Sequence, residues 1–175
     1  VDIGCGSGAA AIAVARAFPG ASVHAVDIND SALMLTGVNA RLARTNNVVA
    51  VRSDLLANVE GQFDLIVSNP PYLLDREKRA YRHGGGDFGE GLSLKIVASA
   101  IERLRPGGTL MLYTGSAIVA GCDPFKFAAE RLLRAAGMRW TYEELDPDVF
   151  GEELDMPAYQ RADRIAAVWL CATRG

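Results

Sequence analysis

What the chain lacks narrows its identity first. Its three cysteines, Cys5, Cys122 and Cys171, stand far apart with no C-x-x-C pair, so neither a disulfide framework nor a cysteine zinc site is on offer. That usage fits a reducing compartment, and the expected location is cytoplasmic. No apolar run approaches the roughly 20 residues a membrane span requires; the apolar stretches are strand-sized and broken by Gly, Asp or Pro. There is no signal-peptide pattern and no initiator Met. Val1 already reads as part of a strand, so the expectation is one domain over residues 1–175, truncated at its N-terminus with an upstream recognition region absent. Basic excess is missing too. A net charge of −3 argues against a domain that grips nucleic acid unaided. Neither an internal repeat nor a low-complexity tract is visible.

What is present is alternation. At 175 residues and 50% hydrophobic, the chain can bury one sizeable core. Strand patterns fall at residues 1–4, 22–28, 48–54, 63–69, 109–115, 164–173 and, more weakly, 138–145. Helix-period segments at 9–18, 31–43 and 92–104 lie between the first five. Strand–helix–strand order with right-handed crossovers predicts an α/β fold, a mostly parallel sheet covered by helices on both faces. Pro19-Gly20 and Arg105-Pro106-Gly107-Gly108 end helices, and Asn29-Asp30-Ser31 can cap one. Segment 146–160 is acidic and contains proline, which predicts an antiparallel hairpin between the last two strands. In such sheets ligands bind beyond the carboxyl ends of the strands. Asp27, Asp54 and Asn69 close three of the first four, and the chemistry should collect there.

Gly4, Gly6 and Gly8, in Val1-Asp2-Ile3-Gly4-Cys5-Gly6-Ser7-Gly8, carry the chain from a strand into a helix. Glycines at alternate positions allow a tight turn and let a ligand approach the backbone with no Cβ in the way. Gly4, Gly6 and Ala9 also satisfy G-x-G-x-x-A, with Asp27 at about the spacing a dinucleotide fingerprint requires. A nicotinamide-dependent oxidoreductase is therefore one reading. Asp27 is placed to accept two ribose hydroxyls, and Asp54 to accept an adenine amino group. Asp2 is costly to bury in an apolar strand unless paired, so it should face loop amides or a cationic ligand. A methionine ammonium suits it; a pyrophosphate does not.

Phe63-Asp64-Leu65-Ile66-Val67-Ser68 leads into Asn69-Pro70-Pro71-Tyr72. Two prolines cannot continue the ladder, and the first biases Asn69 towards an extended backbone. A rigid turn with a packing tyrosine would be the plain explanation. Chemistry offers another that uses all four residues. A planar nitrogen is a poor nucleophile because its lone pair is delocalised. Two acceptors, the Asn69 side-chain oxygen and the Pro70 carbonyl, would hold its two N–H bonds and direct it at a methyl donor. Tyr72 would give a face for stacking a flat substrate. Positioning and electrostatics would carry the catalysis, with no role for His24 or His83.

With these motifs in order, the chain resembles the class I S-adenosylmethionine-dependent methyltransferases. Within them it is similar to the "methyltransferase small" group, which includes the protein-(glutamine-N5) methyltransferases of release factors. The resemblance runs from Val1 to about Thr173 and makes 1–175 a methyltransferase catalytic domain. It implies a Rossmann-like, seven-stranded sheet of order 3-2-1-4-5-7-6 with strand 7 antiparallel. It assigns the S-adenosyl-L-methionine site to Asp2, Gly4, Cys5, Gly6, Gly8, Asp27, Ile28, Asp54, Leu55 and Asn69. The catalytic motif it assigns is Asn69, Pro70, Pro71 and Tyr72, and Leu104-Arg105-Pro106-Gly107-Gly108-Thr109 is the turn into the fifth strand. The implied acceptor is macromolecular, a protein glutamine ahead of an exocyclic amine of rRNA or DNA. The oxidoreductase and a module that only binds S-adenosylmethionine remain the alternatives from other classes. The release-factor enzymes follow the motif with Gly-Gly-x-Asp-Gly; Gly84-Gly85-Gly86-Asp87-Phe88-Gly89-Glu90-Gly91 matches that loosely.

Three further features carry expectations. The mixed-charge window at 75–83 should be a solvated loop. The 84–91 stretch should be a mobile lid over the substrate. Cys5 should pack near the cofactor, and Trp140 and Trp169 should sit in the core.

Overall fold

The protein, described here from a computed structural model covering residues 1–79 and 81–175, is a single sheet flanked by helices. In chain order the elements are β1 (Asp2–Ile3), α1 (Ala9–Ala17), β2 (Val23–Asp27), α2 (Asp30–Leu42), β3 (Val48–Arg52) and β4 (Phe63–Ser68). There follow α3 (Gly91–Arg103), β5 (Leu104–Ile118), α4 (Pro124–Ala135), β6 (Arg139–Asp146) and β7 (Arg164–Thr173). The seven strands run in the order β3-β2-β1-β4-β5-β7-β6. The first five pair in parallel, while β7 is antiparallel to both β5 and β6. The order and the antiparallel β7 are those expected. Two short 3-10 turns, Gly151–Asp155 and Pro157–Tyr159, occupy the β6–β7 connection.

Boundaries differ where physical chemistry intervenes. Strand β3 stops at Arg52, so Asp54 stands two residues beyond it rather than closing it. Asn69 likewise follows β4, which ends at Ser68 before the prolines. Strand β5 begins at Leu104, and a register break between Phe63 and Leu65 absorbs the Pro-Gly-Gly turn. Helix α4 has no counterpart among the segments read from the sequence. Its signals are Asp123 as N-cap, accepting from the Lys126 amide at 2.8 Å, Pro124 in the first turn, and buried Phe125, Ala129 and Leu133 at helical spacing.

The cross-strand register defines the two faces. Val26, Ile3, Ser68, Leu112, Leu170 and Tyr142 form one row, which turns its apolar members to α3 and α4. The adjacent row is Ala25, Asp2, Val67, Met111, Cys171 and Thr141, on the face where α1 and α2 pack over β2 and β3. Covering on that second face is partial. Beyond Asp2, the β4, β5 and β7 residues Leu65, Val67, Met111, Tyr113, Trp169 and Cys171 are only half buried or exposed. Helices lie on both faces, but one face is clothed over only part of its width. Trp169 therefore lies on the bare half rather than in the core, while Trp140 packs partly against the core cluster.

Candidate active site

The parallel topology brings the ends of β1, β2 and β4 and the turn after β3 to one edge. A cleft of about 860 Å³ opens there, within the usual size of a small-molecule site. Gly4, Gly6, Ser7, Asp27, Ile28, Asp54 and Leu55 line one part of it, and Asn69, Pro70, Pro71 and Tyr72 line another. The two sets of residues expected to do the chemistry share one cavity.

The glycine loop is built by close approach. Gly4, Gly6 and Gly8 all adopt left-handed φ values, 71°, 55° and 83°. The Gly4 and Cys5 amides both donate to the Val26 carbonyl, at 2.9 and 3.0 Å, which seats the loop on β2. Asp27 ties it to the end of that strand. Its Oδ2 accepts from the Gly6 amide at 3.0 Å and its Oδ1 from the Asn29 amide at 2.9 Å. One lone pair on each oxygen is left for a ligand in the cleft. A Cβ at Gly4 or Gly6 would meet nothing within 4 Å, so the loop turns open space towards the cavity.

Helix α2 braces the loop from behind, through residues the sequence did not single out. Thr36 donates to the Gly6 carbonyl at 3.1 Å and touches Cys5 Sγ, and Asn39 donates to the Ser7 carbonyl at 2.9 Å. Gly8 faces this helix: a Cβ there would stand 2.9 Å from Thr36 Oγ1. Asp2, Cys5 and Gly8 thus stand behind the cleft wall. Buried Asp2 accepts from the Ala11 amide at 2.9 Å, in the first turn of α1, which has no side-chain cap of its own. Burial pushes its carboxyl up to about 6, against the opposing pull of that amide. Burial likewise raises the Cys5 thiol to about 11, which makes it a packing group and not a nucleophile.

At the end of β4, Ser68 donates to the Ile3 carbonyl at 2.7 Å, locking β4 to β1 just before the tetrapeptide. Asn69 is exposed, and no hydrogen bond from a described residue engages its carboxamide. Pro70 is buried and stiffens the turn. The Tyr72 ring lies edge-on to Tyr113 at 6.2 Å and tilted against Phe150 at 6.0 Å. Burial first, then Tyr113 beside it, pushes the Tyr72 phenol up to about 12.

The side of the cleft that carries the tetrapeptide is completed by Tyr81, Arg82 and Phe150. Phe150 comes from the β6–β7 connection with φ 57°, a strained conformation for a bulky residue. Only an aromatic in an acidic linker marked it in the sequence. The 75–83 window is exposed at 76–79 and at Tyr81, as expected of a solvated loop, but it is tied down at Asp75, Arg82 and His83. Asp75 is buried and accepts from the Arg79 amide at 2.8 Å and Nε at 2.9 Å, which holds its carboxyl well below the usual range. Arg82 pairs with the buried Glu153 across the β6–β7 connection. Ala80, within this window, lies outside the described residues. His83 accepts the Asp75 amide at 3.1 Å through Nδ1, a structural use.

The 84–91 stretch is not a lid. Gly84 donates to the Leu73 carbonyl at 2.8 Å and accepts from the Leu92 amide at 2.7 Å, and none of the stretch lines the cleft. Beneath it Tyr159, 1% exposed, donates to the Phe88 carbonyl and accepts from the Leu74 amide. A turn bonded to Leu73 and Leu92 over a buried tyrosine belongs to the scaffold.

Known proteins resemble this chain in sequence and in fold. The methyltransferase small domain family matches residues 1–119, which contain the glycine loop, both acids and the tetrapeptide. A release factor glutamine methyltransferase of Gloeobacter violaceus is 39% identical over 137 residues, 71% of this chain and 46% of that protein. A ribosomal protein uL3 glutamine methyltransferase of Francisella tularensis subsp. tularensis is 35% identical over 142 residues, 73% of this chain and 45% of that one. The chain spans about half the length of the curated relatives it matches. A methyltransferase of Pyrococcus furiosus superposes with a TM-score of 0.66 at 22% identity, over 100% of this chain and 75% of that one, which is a likeness of fold. With more than half of its length matched, the chain belongs to the methyltransferase small domain family.

Proposed function

We propose that the chain is the catalytic domain of an S-adenosylmethionine-dependent N-methyltransferase whose acceptor is the side-chain amide of a protein glutamine. The observation that carries this is the exposed Asn69 carboxamide, fixed at the end of β4 and opening into the same cleft as the glycine loop, Asp27 and Asp54. When bound, S-adenosylmethionine supplies an electrophilic methyl group. Asp27 would take its ribose hydroxyls, Asp54, Leu55 and Ile28 its adenine side, and the Gly4–Gly6 backbone its methionine part. Size and donor set fit: an open glycine turn, two carboxylates and about 860 Å³ in one cavity.

The chain's own residues then supply orientation. Asn69 Oδ1 and the Pro70 carbonyl oxygen each accept one N–H of the acceptor amide, fixing its plane and concentrating electron density on nitrogen. Methyl transfer to the amide so held would leave its nitrogen cationic and acidic, and the extra proton could pass to water. No strong base is needed, in keeping with a histidine (His83) committed to the loop. Preorganised acceptors of this kind carry much of the catalysis in enzymes without covalent chemistry.

The relatives named for glutamine methylation support a protein acceptor, as does the chain's net charge of −3. The nicotinamide reading gains nothing from the fold, because an antiparallel β7 between β5 and β6 departs from the 3-2-1-4-5-6 dinucleotide sheet. The test is transfer of labelled methyl from S-adenosylmethionine to a bacterial release factor, to ribosomal protein uL3 and to rRNA in parallel. Label is expected in a protein at glutamine. Asn69→Ala should lower transfer by at least about 10²-fold while S-adenosylhomocysteine still binds. Label in RNA alone, or an active Asn69→Ala variant, would overturn the reading.

A further inference from the structure

Tyr72 is enclosed by glycines from two separate segments. Its ring rests on β5 at Gly115, where a Cβ would stand 2.9 Å from Tyr72 Cε2 and closer still to Cδ2. Its main chain is pressed by the 84–91 turn. A Cβ on Gly84 would stand 2.7 Å from the Pro71 carbonyl oxygen and 2.8 Å from Tyr72 Cα, and one on Gly89 would stand 2.7 Å from the Tyr72 carbonyl carbon. At Gly84 and Gly89 the obstacle is backbone, which cannot rotate away. Phe150 and Tyr113 lie against two further sides of the ring, which remains half-buried at the cleft.

Local geometry does not explain the glycine at 115. It lies inside a long paired strand, opposite Ala167 of β7, and its φ is outside the left-handed region. There a glycine costs about 0.5–1 kcal/mol relative to alanine. The space occupied by the Tyr72 ring is what the missing side chain provides. Gly84 makes a similar case, since its φ is also unexceptional and the room is filled by the tetrapeptide's backbone together with the Gly89 carbonyl oxygen of its own turn.

We propose that Gly84, Gly89 and Gly115 form a socket that positions Tyr72, and with it the acceptor side of the cleft, for methyl transfer. The proposal rests on the reading of Asn69-Pro70-Pro71-Tyr72 as the reactive centre. These glycines touch neither acceptor nor cofactor and act through the tyrosine. A reactive geometry tolerates little slack: an ångström of misplacement costs about 10²-fold in rate. The socket fixes Tyr72 by its main chain and by its ring at once. It also assigns work to the glycine-rich stretch after the tetrapeptide, which holds the motif from behind.

The test uses Gly115→Ala, which suits a strand and leaves the backbone unstrained. In protein carrying 3-fluorotyrosine, the five tyrosines give separate fluorine resonances, and Tyr72→Phe identifies that of Tyr72. Gly115→Ala should move that resonance, leave S-adenosylhomocysteine affinity unchanged by calorimetry, and lower acceptor kcat/KM at least about tenfold. In a Tyr72→Ala background the same substitution should have no further effect, as a pair acting as one unit requires. An unmoved resonance, undiminished transfer, a parallel loss of S-adenosylhomocysteine affinity, or equal losses in both backgrounds would overturn the socket. A wild-type protein that transfers no methyl would remove the functional reading and the socket together. Failure of Gly115→Ala in an active enzyme would remove the socket alone.

Discussion

Asp2 shows how far single residues can be read. An acid in an apolar strand had to find a partner, and it did, in the Ala11 amide at 2.9 Å. The sequence could not say that the partner would be the first turn of α1, because that depends on how the glycine loop folds back. The same limit hides Thr36 and Asn39, which brace the loop from a helix about 30 residues away with no motif to mark them. Asn69 was legible because two prolines isolate it. Asp2 also yields a pH test. Its carboxyl is raised from 3.8 to about 6, so the folded state binds the proton more tightly than the unfolded state. This contribution to stability is present below about pH 4 and is lost as pH rises through 6. Asp2→Asn keeps an acceptor for Ala11 without the charge. It should stabilise the fold on the order of 2–3 kcal/mol at pH 8 and almost not at all at pH 4, by urea denaturation. A variant no more stable than wild type at pH 8 would contradict the burial argument.

At the level of elements, strands were easier to locate than their edges, and one helix escaped notice. Helix α4 carried its signals, an Asp-Pro start and a narrow apolar stripe, but followed a strand whose length was underestimated. Once β5 extends to Ile118, the helix is short and follows at once. The β6–β7 connection was read correctly as a hairpin without a long helix, yet its role was not visible. Glu153 reaches Arg82 across 71 positions in sequence, a pairing that only the sheet order creates. Asp123 is the element-scale hinge of stability. Its Oδ1 accepts from the Lys126 amide at 2.8 Å and from Ser116 at 2.6 Å, and its Oδ2 accepts from the Tyr142 hydroxyl at 2.6 Å. One carboxylate thus joins α4, β5 and β6. Asp123→Ala removes a cap worth about 1 kcal/mol and strands a half-buried tyrosine hydroxyl, so a loss of about 2–4 kcal/mol is expected. Asp123→Asn, which keeps the acceptor oxygen, should lose far less. Because this joint lies away from the cleft, S-adenosylhomocysteine affinity should be the same in all three proteins, measured by calorimetry below their melting temperatures.

For the molecule as a whole, alternating strands and helices were enough to anticipate a mostly parallel sheet, and the family resemblance its strand order, but not how completely the sheet is covered. Helices do lie on both faces, yet Met111, Trp169 and Cys171 remain on a half-bare surface because α1 and α2 reach only across β2 and β3. The cleft, by contrast, draws on separate segments between Ile3 and Ile96 and on Phe150. The loops after β1, β2 and β3, the end of β4, the start of α3 and Phe150 near the C-terminal third all line it. A ligand filling it therefore couples to global unfolding and not to one loop. At a hundredfold excess over its Kd, S-adenosylhomocysteine should add about 2.7 kcal/mol. For a chain of this size, that raises Tm by about 5–10 °C. Asn69→Ala should keep the shift, since Asn69 is proposed to face the acceptor, and Asp27→Ala should lose most of it, since Asp27 holds the loop and is proposed to take the ribose. NAD at the same concentration should produce none. The discriminating outcome is a Tm raised by NAD and not by S-adenosylhomocysteine: the glycine loop and Asp27 would then serve a dinucleotide, and the tetrapeptide would be a rigid turn.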